Sequence, residues 1–190
     1  LTGDRFRSAA APWRGAGVAI PVFSLRSEES FGVGEFYDLK KMVDWARATG
    51  LKVIQILPIN DTTMTGTWQD SYPYNANSTY ALHPQFLRLE AVGRLSDKRA
   101  MAKYRKLGKE LNALPEVDYE RVNTAKASYL KELFAEQGAA TLASEEFIEF
   151  FRSNETWLRP YAAFCTLRDR HRTADFSRWG KWATYDSKAV

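Results

Sequence analysis

The chain has 190 residues, 45% of them apolar, and its 27 basic and 23 acidic side chains give a formal net charge of +4. That supports one buried core, and the interleaved charges, with no run of five like residues, point to a solvated mixed-charge surface rather than nucleic-acid binding. The lone Cys165 excludes an intrachain disulfide or thiolate cluster, His83 and His171 are too separated to suggest a metal centre, and neither a membrane span nor a signal peptide is visible, so a cytoplasmic location is expected.

In chain order, "GVAIPVF" (Gly17 to Phe23) reads as a buried strand, with Pro21 near its end or at a bulge. A helix is predicted from Glu35 to Thr49, with Phe36, Leu39, Met42, Val43 and Ala46 on one face and Gly50 as its left-handed stop. "LKVIQIL" (Leu51 to Leu57) then reads as a strand buried on both faces, ending at Pro58. Strand, helix and strand with short links make a βαβ unit, so the sheet is predicted to be parallel with a right-handed crossover.

After residue 95 the periodicity is helical. One helix is predicted from Asp97 to Leu107 and another from Tyr119 to Gln137, stopping before Gly138, with Val122, Ala125, Tyr129, Leu130, Leu133 and Phe134 on its apolar stripe. Ser144 is placed as the cap of a helix running to about Arg152, and a separate helix is predicted from near Trp157 with Pro160 in its first turn. The boundary is drawn at residue 95: an α/β part over 1–95 and a helical insertion over 96–190. Two strands alone do not close a sheet, so further strands are expected to be missing.

Ligands of parallel α/β folds bind beyond the carboxyl ends of the strands, which draws attention to "INDTTMTGTWQDSYPYNANSTYALHP" after the second strand. Trp68, Tyr72, Tyr74 and Tyr80 offer flat apolar faces, the tyrosines with hydroxyl tips, and Asp70, Ser71, Asn75 and Asn77 offer directional hydrogen-bonding groups. A sugar ring has the matching character; equally, the rings could pack the later helices onto the sheet. Asp61 and Asp70 are the only carboxylates there, candidates for a paired-acid site or for turn caps. The clusters "RGAG" and "FGVG" lack a phosphate-loop lysine and read as turns. Cys165 is read as a buried structural thiol, His83 as a loop hydrogen-bonder and His171 as a helix-end cation.

"WRGAGVAIPVFSLRSEESFGVGEFYDLKKMVDWARATGLKVIQILPINDT" followed by "TWQDSYPYNANSTYALHP" resembles the N-terminal part of the catalytic barrel of the 4-alpha-glucanotransferase (amylomaltase, or disproportionating-enzyme) family. "VDYERVNTAKASYLKELF" and "NETWLRPYAAFCTLRDRH" agree in the same order. The resemblance implies a (β/α)8 TIM barrel, here its first two strands and helix with a helical insertion. It also implies a retaining enzyme that moves α-1,4-glucan segments between maltooligosaccharides without a cofactor or metal. The family's three catalytic acids are expected beyond residue 190, so no residue here is assigned a catalytic role. Together with a first residue that is Leu rather than Met, this reads as a piece of a longer protein, inactive alone. The family's D-S-P-Y segment matches Asp70, Ser71, Pro73 and Tyr74 with Tyr72 as an extra residue, so the substrate-binding candidates are Tyr74, Asp70, Ser71, Trp68 and Tyr72. The expected partner is an oligosaccharide or polysaccharide α-glucan, with no nucleic acid and no membrane; the sequence leaves oligomeric state open. A glucan-binding module without catalysis and an α-amylase-clan hydrolase remain as competing readings.

Overall fold

The computed structural model describes residues 14–187; Trp13 and the terminal residues searched for a leader lie outside them. Two strands, β1 (Gly17–Ile20) and β2 (Val53–Ile56), pair in parallel with Gly17 opposite Val53 and Ile20 opposite Ile56. The connecting helix α1 spans Asp38–Ala48. It ends as its glycine requires: Gly50 has φ +75°, Gly50 N–H donates to the Arg47 carbonyl at 3.2 Å, and Leu51 N–H donates to that of Ala46 at 2.9 Å. Those two bonds are a Schellman termination. The helix starts later than predicted because Asp38 turns back, its Oδ2 accepting from Glu35 N–H at 2.8 Å, which holds residues 35–37 in turns. "FGVG" is a turn, as expected, and a close one: a Cβ on Gly34 would lie 1.9 Å from the Val22 carbonyl oxygen.

The strands are half-buried rather than buried on both faces. Exposed and partly covered residues alternate along each, and Val53 is 46% exposed. Among the described residues the sheet holds two strands only, so an outer edge of each lacks a neighbour and one set of side chains lacks a covering layer.

The remaining helices are α2 (Leu89–Val92), α3 (Lys98–Asn112), α4 (Tyr119–Leu142) and α5 (Glu145–His171). Asp97 and Ser144 cap α3 and α5, accepting from Arg99 N–H and Phe147 N–H. Helix α4 does not stop before Gly138: that glycine stays helical, packed under the Phe134 ring, and Phe134 itself is 60% exposed rather than on the buried stripe. The two helices predicted around residues 144–152 and 157 onward are one 27-residue helix with Pro160 in its interior. Nothing in the 153–156 linker breaks a helix. The backbone bond that Pro160 forfeits is flanked by packing on both sides, where Trp157 stacks on Tyr80 and Phe164 tilts against Trp179.

The core straddles residue 95, joining Leu89 and Leu95 to Met101 and Tyr104 of α3 and Tyr129 and Leu133 of α4. A second cluster gathers Val33, Leu111 and Val122. Not every charge lies on the solvated surface expected of them. Glu35, Asp38 and Lys126 are buried, because each has partners within reach. Lys126 Nζ donates to Glu35 Oε1 at 2.6 Å and to the Gln85 and Leu87 carbonyls at 2.6 and 2.8 Å, using all three of its protons. Arg88 bridges Glu35 Oε2 at 2.6 Å and Asp38 Oδ1 at 2.8 Å, and Ser27 and Ser30 donate to the Asp38 carboxylate. The cluster ties α4 to the start of α1 and to segment 85–88. No helix among the described residues is long and apolar enough to cross a membrane.

Candidate functional site

The chain leaves β2 at Ile56 and returns at His83, closing a loop whose neck is a short antiparallel bridge between Asn60 and Leu82. Asp61 N–H donates to the Ala81 carbonyl and His83 N–H to that of Ile59, both at 2.9 Å. Within this ring Asp61, Thr62 and Asp70 are buried, while Trp68, Tyr72, Tyr74 and Tyr80 are exposed.

Asp70 organises the first half. Its side chain is buried and accepts from Met64 N–H at 3.0 Å, Thr65 N–H at 2.9 Å, Gly66 N–H at 2.7 Å and Thr65 Oγ1 at 2.9 Å. Charge-assisted bonds of this kind are the strong ones, and three backbone donors would otherwise be orphaned. The Asp70 carbonyl in turn accepts from Thr62 Oγ1 at 2.5 Å and from the Tyr119 hydroxyl at 3.3 Å. Asp61 organises the second half, accepting from Thr63 N–H and Oγ1 and from the Tyr161 hydroxyl at 2.5 Å, while its carbonyl accepts from Asn77 N–H. Burial alone would raise the Asp61 pKa, but the Thr63 and Tyr161 hydrogen bonds outweigh it and hold the carboxyl below its ordinary value. Neither aspartate faces an open cleft, and each is engaged by donors from the protein itself.

Trp68, Tyr72, Tyr74 and Tyr80 leave 66%, 61%, 60% and 65% of their surfaces exposed. They do not pack the later helices onto the sheet as buried core. Tyr72 and Tyr74 tilt against each other with centroids 5.5 Å apart, and Tyr80 stacks on Trp157 of α5 at 5.4 Å. Ser71 is exposed beside the tyrosine pair.

Four residues from α4 and α5 that sequence reasoning did not connect to the loop hold it in place. Tyr119 and Glu120, in the first turn of α4, reach His83 Nε2 at 2.9 Å and Trp68 N–H at 3.1 Å respectively. From α5, Tyr161 holds Asp61, and Arg168 donates to the Thr63 carbonyl at 2.7 Å. The separations are 36 to 105 residues, and no local spacing reports them. Cys165 lies beside Tyr161, half-buried rather than fully buried, and burial pushes its thiol pKa up, which suits a structural thiol better than a nucleophile. His171 sits in the last turn of α5, as expected, and stacks on Trp179.

His83 is a buried hydrogen-bonder with a fixed tautomer. Nδ1 accepts from Gln85 N–H at 3.2 Å, so Nε2 carries the proton and donates to Tyr119. Burial lowers its pKa to about 4, against the pull of Asp61 and Asp70. An unfolded chain protonates this ring from about pH 6.5 downward while the folded one does not. The stability that the neutral ring contributes is therefore intact above about 6.5, erodes below it, and is lost by about 4. Unfolding midpoints across that window should fall by an amount equivalent to on the order of 3 kcal/mol. His83→Asn, whose Oδ1 can accept in place of Nδ1, should flatten the dependence; an equally steep profile in the variant would assign it to other groups.

Such a loop can bind an uncharged, hydroxyl-rich ligand by stacking and rim hydrogen bonds. The 4-alpha-glucanotransferase family model matches residues 20–190. The chain is 46% identical over 185 residues to 4-alpha-glucanotransferase DPE2 of Oryza sativa subsp. japonica, an alignment covering 95% of this chain and 19% of that protein. It is 38% identical over 169 residues to the 4-alpha-glucanotransferase of Chlamydia caviae and 36% identical over 167 residues to that of Chlamydia muridarum, covering 87% and 86% of this chain and 30% of each relative. The chain thus spans roughly a fifth to a third of the length of these relatives.

Proposed function

This chain belongs to the 4-alpha-glucanotransferase family, and on that premise we propose that it supplies one wall of a glucan-binding cleft in an enzyme that transfers α-1,4-glucan segments between maltooligosaccharides by a retaining route. The observation that carries the reading is the set of exposed aromatic rings held on an internally braced loop beyond the carboxyl end of β2. In this reading β1, α1 and β2 are the opening βαβ unit of a (β/α)8 barrel within residues 1–95, and α3 to α5 form a helical subdomain over 96–190 beside the cleft. The parallel pairing of β1 with β2 supports that placement. Tyr74 is the leading sugar contact, with Trp68, Tyr72 and Ser71 along the same surface, while Asp70 acts by shaping the loop. Asp61 and Asp70 are unsuited to glycosidic chemistry, which needs two carboxyl groups facing one bond across about 5–9.5 Å. The single cysteine is compatible with the proposed cytoplasmic location.

Incubating the complete protein with maltotriose tests the activity. Glucose together with longer maltooligosaccharides is the expected result; reducing ends without longer products would assign hydrolysis instead. The 190 residues alone should show no turnover. In the complete protein Tyr74→Ala is expected to lower kcat/KM about tenfold or more through lost stacking and positioning. An unchanged value would remove Tyr74 from the cleft.

A further inference from the structure

Two sizeable cavities flank the described fold, and their linings differ in kind. The larger, about 630 Å³, lies among the segment before α1, helices α2 and α3, and Tyr129 of α4, and is lined by Glu28, Glu29, Glu35, Arg88, Glu90 and Arg105 among others. Those charges are largely spent on one another, as in the Arg88 contacts with Glu29 and Glu35 and the Arg105 pair with Glu90. The other, about 500 Å³, opens between segment 75–78 of the aromatic loop and α5. Among the described residues, no Asp, Glu, Lys, Arg or His lines it.

We propose that this uncharged cavity is an additional saccharide subsite, which takes part of an extended α-1,4-glucan chain beside the Tyr72–Tyr74 surface. One wall is apolar and aromatic: Trp157, Phe164 and Phe176, with Tyr80 stacked on Trp157 so that the indole is held rigid. The facing wall is polar. The Asn75 side chain is exposed and makes no protein hydrogen bond among the described residues. Asn77 spends one of its two amide N–H groups on the Thr63 carbonyl at 2.7 Å, which leaves its Oδ1 as an acceptor. Ser78 Oγ accepts from Tyr80 N–H and Ala81 N–H, both at 3.1 Å, which leaves its own proton to donate. A pyranose needs this pairing: a flat face for its C–H groups, and both donors and acceptors for its hydroxyls. The absence of charge on the lining disfavours phosphates, nucleotides and carboxylates, and the volume falls within the range of about 300–1,000 Å³ usual for small-molecule sites. Asn75 follows Tyr74 directly in the chain, so a glucan lying on the tyrosine pair has the cavity next along its path.

The inference rests on the transferase reading and is tested in the complete protein by varying substrate length. Ala76→Trp fills the cavity without removing a contact, and Phe176→Ala trims a ring that is already exposed. For both, kcat/KM on maltotriose should stay within about twofold of the parent, while the advantage of maltoheptaose over maltotriose should shrink about tenfold. A parallel loss on both substrates would identify the cavity as packing space that other parts of the protein need. No change on either would show that it is unused. If Tyr74→Ala still impairs maltotriose turnover while both cavity variants keep the parental length dependence, the subsite alone is overturned. If the parent has no transferase activity, the underlying reading fails instead.

Discussion

Replacing Lys126 with methionine is expected to destabilise the fold by about 3–5 kcal/mol, the usual consequence of removing one partner from a buried ion pair. Methionine retains most of the aliphatic stem, so the effect isolates the ammonium. Its loss would take the lysine donor from the Gln85 and Leu87 carbonyls and leave Glu35 Oε1 with only the longer bond from Phe31 N–H at 3.3 Å, in a site that solvent does not reach. Burial lowers the Lys126 pKa even with Glu35 beside it, a sign that desolvation is large here and that the pairing is what makes the charge tolerable. Equilibrium urea unfolding should show a midpoint shift of about 1–2 M. Arg121→Ala is the matched comparison. It removes the solvent-screened pair with Glu110 and should shift the midpoint far less. Equal shifts in the two variants would mean that the buried cluster contributes no more than a surface pair.

Removing the Asp70 carboxylate is expected to strike turnover harder than stability. Asp70→Ala leaves the backbone donors of Met64, Thr65 and Gly66 without an acceptor, but the loop is at the surface and can recover water by loosening. Far-ultraviolet circular dichroism and the unfolding midpoint should therefore change little. The aromatic rings, however, would lose their fixed positions, and displacements of about 1 Å can cost 10²-fold in rate. A fall of about 100-fold in kcat/KM on maltotriose is the expected outcome in the complete protein. Retained activity would show that Tyr119 and Glu120 hold the loop without it.

What was legible in the sequence was local. The Gly50 termination, the Ser144 cap and the parallel pairing all depend on residues a few positions apart or on the strand, helix, strand order, and each is found where periodicity and capping chemistry put it, whereas Asp97, read as the first helical residue, is the cap of α3 instead. Pro160 misled because a proline inside a helix is costly in isolation, and sequence alone does not show the Trp157 and Phe164 contacts that flank it. Lys126 and Glu35, 91 residues apart, looked like any other solvated charges. At the candidate site the aromatic residues were conspicuous, since rings amid Asn, Ser and Thr are unusual, but composition did not reveal which polar residues face inward. Asp70 shares a tetrapeptide with solvent-facing neighbours and points the other way, toward donors at positions 64 to 66. Tyr119, Tyr161 and Arg168 carried no signal, because their partners in the loop come from distant parts of the chain.

The double bracing of the loop has a consequence for how this surface can diversify. Asp70 pins the chain upstream of Tyr72, and Asn77, bonded to the Asp61 and Thr63 carbonyls, pins it downstream. The residues from 71 to 76 hang between two fixed posts, like a replaceable cassette. A residue can be gained or lost there, and a ring exchanged, without shifting the frame on either side. Under the proposed function, ligand preference can thus drift in this segment while the architecture that presents it stays put.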